Sequence, residues 1–261
     1  MMLFDTHCHI ADEAFDADRE AVIDRFRAAG VLRALVVADP CEETPNQQAV
    51  FDLAARHAFL YAAAGVHPHN ASRYTAEIEA GLGELIRRPK CLLWGEIGLD
   101  YHYDLSPRDV QREVFDRQLD LAYAAGKPVQ LHIREAHGDC MDMLRARAAA
   151  GRMPSGIMHC YTGSWEAAKV YLDLGLYISL SGAVTFKNAP KLAEVAQNTP
   201  AGRLLIETDC PYMAPVPLRG TRNDPCNVKL VAKFLADRRG MDVEELAHIT
   251  AENGKRLFSI P

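Results

Sequence analysis

Eight short apolar runs, each separated from the next by a stretch of helical periodicity, constrain this chain more than any other feature. They cover residues 3–9, 33–38, 60–66, 91–96, 128–132, 156–159, 177–181 and 203–209. Mostly apolar runs of this length suit strands buried on both faces, as in a parallel sheet covered by helices. Between them, residues 17–29, 46–57, 75–87, 107–125, 139–150, 165–174 and 189–198 read as helices, and segment 227–258 supplies the last ones. The first shows the pattern plainly: Ala21, Val22, Phe26 and Ala29 make one apolar face amid charge, and Gly30 ends the helix. Eight strand–helix units in 261 residues predict an α/β fold, most simply a closed (β/α)8 TIM barrel forming a single domain over 1–261. A doubly wound open sheet has the same alternation and is the alternative. The longest irregular connection is 210–226, with four prolines and two arginines, and a loop of that size is usually functional.

Polar residues punctuate the ends of these strands. His7 and His9 close the first, His67 follows the third, and Glu96, His132, His159 and Asp209 end the fourth, fifth, sixth and eighth. Alternation along a strand points His7 and His9 the same way, with Thr6 and Cys8 opposite. In a barrel the C-terminal strand ends meet at one mouth, so these imidazoles and carboxylates would converge there. His57, His137 and His248 fall in helices and loops and read as structural. His7, His9, Glu96, His132, His159 and Asp209 are too many ligands for one tetrahedral ion. They suit two divalent ions bridged by a carboxylate, an arrangement that activates water for hydrolysis.

Composition excludes several alternatives. No apolar run approaches the ~18 residues needed to cross a bilayer, and the N-terminus shows no secretory signal, so a cytoplasmic protein without membrane attachment is expected. Seven cysteines, with no Cys-x-x-Cys pair, argue against a disulfide framework or zinc ribbon. A net charge of −6 provides no bulk attraction for nucleic acid. Any such substrate must be held locally, and the chain is expected to be a monomer or to associate weakly.

Seven segments, in order, resemble the TatD family of metal-dependent deoxyribonucleases in the amidohydrolase superfamily. They are Asp5-Thr6-His7-Cys8-His9, Gly65-Val66-His67-Pro68-His69, Gly95-Glu96-Ile97-Gly98-Leu99-Asp100-Tyr101, Leu131-His132-Ile133-Arg134-Glu135-Ala136, His159-Cys160-Tyr161-Thr162-Gly163, Ser181-Gly182, and Glu207-Thr208-Asp209-Cys210-Pro211-Tyr212 followed by Arg219-Gly220-Thr221-Arg222-Asn223. The resemblance runs nearly end to end and implies a (β/α)8 barrel and a hydrolase using two divalent cations (Zn, Mn, Mg or Ni). By motif position, His7, His9, Glu96 and Asp209 would hold one ion, and Glu96, His132 and His159 the other. Related branches typically end the fourth strand in a carbamylated lysine; glutamate here favours TatD. Where that family often shows His-Cys-Phe-Ser-Gly, this chain has Tyr161 and Thr162, and Pro215 and Pro217 precede Arg219. Neither change removes a ligand.

The resemblance implies a 3′→5′ exonuclease acting on a single-stranded DNA or RNA end. A small-molecule amidohydrolase or phosphoesterase, or an aminoacyl-tRNA ester hydrolase, could use the same ions. Asp209 is expected to orient or deprotonate the attacking water, with Glu96 as the catalytic bridge. His67, Arg134, Arg219 and Arg222 are candidates for gripping phosphate oxygens, because a planar guanidinium matches them bidentately. Tyr101, Tyr103, Tyr161 and Tyr212 follow ligand-bearing strand ends and are candidates for stacking a base or filling the rim. Cys8, Cys160 and Cys210 adjoin ligands; alternation turns the first two away, as small core residues. Glu207 shares a face with Asp209 and is expected beneath the site, supporting a ligand.

Overall fold

The computed structural model describes residues 1–42 and 46–261. Its strands are β1 (Leu3–Cys8), β2 (Val31–Ala38), β3 (Leu60–Ala64), β4 (Cys91–Asp100), β5 (Val129–Arg134), β6 (Gly156–Met158), β7 (Tyr177–Leu180) and β8 (Leu204–Ile206). The helices are α1 (Arg19–Ala28), α2 (Gln47–Arg56), α3 (Ala76–Arg87), α4 (Arg108–Ala124), α5 (His137–Ala149), α6 (Trp165–Asp173), α7 (Pro190–Asn198), α8 (Val228–Arg239) and α9 (Val243–Phe258). All eight strands lie in one sheet in the order β1 to β8, each ladder parallel. This is the (β/α)8 barrel that the alternation predicts; the open doubly wound sheet, which requires strand order to reverse, is ruled out.

The seam between β8 and β1 is made differently from the ladders. Two backbone bonds join the strand ends, His9 N–H to the Cys210 carbonyl (2.8 Å) and Asp209 N–H to the His7 carbonyl (3.0 Å). Below them a side chain takes the place of backbone. The buried Asp5 carboxyl accepts from the Thr208 amide (2.9 Å) and the Thr208 hydroxyl (2.6 Å). Burial pushes the Asp5 carboxyl up to about 8, against those bonds.

Two apolar cores flank the sheet. The larger lies between strands and helices and includes Leu3, Cys8, Phe26, Leu82 and Phe115; the smaller fills the barrel with Phe4, Leu35, Val37, Leu93, Ile157 and Leu205. Helix α9 adds Phe258 to the inner core, its ring 5.6 Å from that of Phe4. Beside this apolar filling are buried polar groups. Thr6 meets Ser179 (3.1 Å), Ser179 donates to Glu207 (2.6 Å), and the Gln130 amide donates to the Thr6 carbonyl (2.9 Å).

Strict alternation fails at the end of β1. A register shift against β2 falls between Asp5 and Cys8, and the Thr6 hydroxyl turns to Ser179 and Glu207 instead of away from the ligand side. Strand β4 continues four residues past Glu96, carrying Asp100 into the sheet, whereas β8 stops at Ile206. The β4 extension depends on Gly98, whose φ is +152° and where a Cβ would lie 1.9 Å from the His132 carbonyl oxygen.

Replacing Asp5 with alanine leaves the buried Thr208 N–H without its acceptor at the seam. The expected cost is about 1–3 kcal/mol, read as a lowered urea midpoint with an unchanged m value.

Candidate active site

Strand ends deliver the site to a cavity of about 860 Å³ at the C-terminal mouth. The cavity is lined by His9, His67, His69, Glu96, Asp100, His132, Arg134, His159, Cys160 and Asp209, among others. Six imidazoles form a continuous row. Ring centroids step from His9 to His7 (4.7 Å), His159 (3.6 Å), His132 (6.4 Å), His67 (4.4 Å) and His69 (4.3 Å).

Glu96 sits against the middle of this row. Its carboxylate oxygens lie 2.9 Å from His132 Nδ1, 3.2 Å from His159 Nε2, 3.7 Å from His7 Nε2 and 3.8 Å from His67 Nε2. Asp209 lies 3.6 Å from both His7 Nε2 and His9 Nε2. Its φ of +57° is uncommon for a non-glycine residue and places it just beyond β8.

Ligand-type atoms within 4.8 Å of one another fall into overlapping groups: His7, His9 and Glu96; His7, His159 and Asp209; Glu96, His132 and His159. A further group joins His67, His69 and His132. The donor set of imidazole nitrogen and carboxylate oxygen suits borderline divalent ions. Two observations favour that use. His7 Nδ1 is buried without a partner, and His7 Nε2 and His9 Nε2 converge to 2.9 Å, close enough to share one proton or one ion.

Protonation follows from burial and neighbours. Burial, with His159 alongside, lowers His7 to about 3, so it is neutral. Burial also holds His67 well below the usual imidazole range; its Nδ1 accepts the His69 amide (3.2 Å), which leaves the proton on Nε2. For His132, burial opposes charge but is outweighed by the Asp100 and Glu96 carboxylates, which push it up to about 9. Burial likewise opposes charge on Glu96, yet the surrounding imidazoles, His159 first, keep its carboxyl well below the usual range. Asp209 is lowered for the same reason, with burial opposing and the neighbouring His9 imidazole the largest favourable influence.

Two carboxylates hold imidazoles from behind. Glu207 Oε1 is 2.8 Å from His159 Nδ1, leaving Nε2 toward Glu96, and the same oxygen accepts the Cys160 amide. Asp100 Oδ2 is 3.0 Å from His132 Nε2 and 2.9 Å from His69 Nε2; its other oxygen accepts the His102 and Tyr103 amides. Such partners set the tautomer and ring orientation of a metal-binding histidine. Glu207 was anticipated beneath the site. Asp100 was not placed, although it belongs to the quoted Gly95–Tyr101 motif, because a strand ending at Glu96 leaves it out of the sheet. His69 was also missed, yet His67 and His69 repeat the spacing of His7 and His9.

The three arginines separate. Arg134 lines the cavity, its guanidinium 4.7 Å from the centre of the Tyr103 ring, and among the described residues no carboxylate pairs with it. Arg222 points elsewhere, bonded to Asp18 (2.8 and 2.7 Å) and packed over Phe15, and Arg219 lies over Phe186. Neither of these two lines the cavity. Cys8 is in the outer core as expected, donating to the Leu35 carbonyl. Cys160 departs from expectation: β6 ends at Met158, Cys160 has φ +39°, and the residue lines the cavity.

Comparison with known proteins places this architecture. The profile of the TatD related DNase family matches residues 4–259. The uncharacterized metal-dependent hydrolase YabD of Bacillus subtilis (strain 168) is 45% identical over 259 residues, covering 99% of this chain and 100% of that protein. A protein named 3′-5′ ssDNA/RNA exonuclease TatD, from Rahnella sp. (strain Y9602), is 35% identical, covering 99% of this chain and 98% of its own length. Among solved structures, the TatD homologue YJJV of Escherichia coli K12 superposes with a TM-score of 0.90 at 31% identity, covering 99% and 98% of the two chains.

Glu207→Gln removes the charge behind His159 while keeping its shape. Metal affinity is expected to fall about 10–100-fold with the fold retained, measured by titrating metal-free protein. Because His132 and His159 are held above the usual imidazole range, an ion taken up on their nitrogens would displace protons. Affinity should therefore rise with pH from 6 toward 9. Calorimetry at neutral pH in buffers of differing ionisation enthalpy should register proton release.

Proposed function

This chain belongs to the TatD family of metal-dependent hydrolases, and we propose that it is a 3′→5′ exonuclease removing nucleotides from a single-stranded DNA or RNA end. The observation carrying the proposal is Glu96 shared between two overlapping sets of ligand atoms. In this reading His7, His9, Glu96 and Asp209 hold one divalent ion, and Glu96, His132 and His159 hold a second. When bound, the ions acidify a water and neutralise charge on phosphoryl oxygens.

The chain's own residues do the rest. Asp209, kept ionised by His9, takes the proton of the attacking water. The phosphorus gains that oxygen and loses its bond to the 3′-oxygen of the preceding nucleotide, which keeps the bonding pair, takes a proton from solvent water and becomes the new 3′ hydroxyl. Arg134 and the Nε2–H of His67 hold the non-bridging oxygens. Arg134 supplies local positive charge, so a net charge of −6 does not prevent binding of a strand end. The names of the relatives called 3′-5′ ssDNA/RNA exonuclease support the polarity and the single-stranded substrate. A second reading, a small-molecule phosphoesterase or amidohydrolase, draws support from the cavity of about 860 Å³, a volume within the range of small-ligand sites. Aminoacyl-tRNA ester hydrolysis would use the same ions.

End-labelled single-stranded DNA incubated with Mg²⁺, Mn²⁺ or Zn²⁺ should shorten, and Glu96→Ala should abolish shortening. Asp209→Asn should lower kcat about 10²–10⁴-fold with metal still bound; near-wild-type turnover would sink the base role. Arg134→Ala should raise KM about tenfold or more, whereas Arg222→Ala, outside the cavity, should change KM by less than about twofold and register instead as a small loss of stability.

A further inference from the structure

Two tyrosines stand more than half exposed at opposite ends of the imidazole row, Tyr103 with the Arg134 guanidinium over its ring. Tyr212 is 58% exposed with its ring 6.2 Å from His9, and Tyr103 is 55% exposed with its ring 5.4 Å from His69. Both line the cavity. The other two tyrosines near the ligand strands are engaged. Tyr161 is buried and donates to the Ser164 carbonyl (2.6 Å), and Tyr101 donates to Asp139 (2.6 Å) under the Arg108 guanidinium.

The ends of the row are therefore aromatic while its middle is ionic. Leu105, 65% exposed, lines the cavity with Tyr103, and Met213 lines it with Tyr212. An uncovered ring beside a polar site leaves apolar surface in water unless the ligand covers it. A phosphodiester carries a nucleoside on each side of the phosphorus. A phosphate held over Glu96, at the middle of the row, would direct its two nucleosides toward the two ends.

We infer that Tyr212 stacks the base on one side of the scissile linkage and that Tyr103, with Arg134 over its ring, stacks the base on the other. This rests on the exonuclease reading of the same site. Arg134 acts in both roles, since its guanidinium lies 4.7 Å from the centre of the Tyr103 ring and its charge serves the phosphate. Stacking is indifferent to base identity because every base has a π-face, so the bracket selects unpaired strands without selecting sequence. Bases in a duplex are already paired and stacked on their neighbours, and would have to unstack before splaying onto two separate rings.

The test uses metal-loaded protein and a 5′-fluorescein thymidine hexamer whose last linkage is a phosphorothioate. Companion strands carry a tetrahydrofuran abasic residue in place of the last or the penultimate base. In the unmodified protein each abasic replacement should weaken binding about tenfold. Tyr212→Ala should erase the difference at one position and Tyr103→Ala at the other, while Tyr212→Phe and Tyr103→Phe should keep both. No base dependence in the unmodified protein, or full base dependence in both alanine variants, overturns the inference. Shortening of the ordinary phosphodiester strand is followed in parallel. Base-dependent binding without metal-dependent shortening would overturn the exonuclease reading and leave the stacking intact; shortening without base dependence would overturn the stacking alone.

Discussion

A buried carboxylate ringed by imidazoles is the constraint on which this barrel mouth depends. Glu96 is 6% exposed, and four imidazole nitrogens lie within 3.8 Å of its oxygens. Among the described residues no lysine or arginine pairs with Glu96 or Asp209. A carboxylate removed from water must be compensated. Protons on His132 and His159 serve, and a divalent cation held by the same nitrogens would serve in their place. Metal binding and protonation are thereby coupled.

Behind the row stands a second tier that keeps it in place. Glu207 backs His159, Asp100 backs His132 and His69, and Asp5 ties β1 to the turn after β8 that carries Asp209. These carboxyl groups lie behind the imidazoles or at the barrel seam. Their work is geometric: each accepts backbone amides or hydroxyls, Asp100 also bonds two ring nitrogens, and Glu207 lies against a third, so ligand orientation is continuous with the hydrogen bonding of the strands. The register shift at the end of β1 belongs to the same arrangement, since it lets Thr6 turn toward Ser179 and Glu207 close to His7.

The arginines that were candidates for gripping a phosphate divide between this centre and the loops. Arg134, at the end of β5, shares the cavity with the imidazoles, whereas Arg222 ties the loop after Asp209 to the segment preceding α1. All three arginines were equal candidates in the sequence, because a guanidinium in a loop serves a phosphate or a neighbouring aspartate with the same geometry. Only knowing which aspartate lies within reach distinguishes them. The four tyrosines were equally ambiguous, and burial separated them into two that are covered and two that are not.

What the sequence by itself determined is the run of eight strand–helix units and the identity of its polar strand ends; the order of the strands then chose the barrel over the open sheet. Period-two and helical patterning are local properties, and eight such units in a chain of this length leave few packings. The placement of His7, His9, Glu96, His132, His159 and Asp209 at one mouth follows from that topology. What only the tertiary structure decided is what each group faces. Asp100 entered the site because β4 runs on past Glu96 through Gly98; Cys160 turned into the cavity because β6 had already ended; Arg222 left it because Asp18, 204 residues away in sequence, lies beside it. Where strands end and which distant side chains meet are settled by packing across the barrel, and no local pattern encodes that.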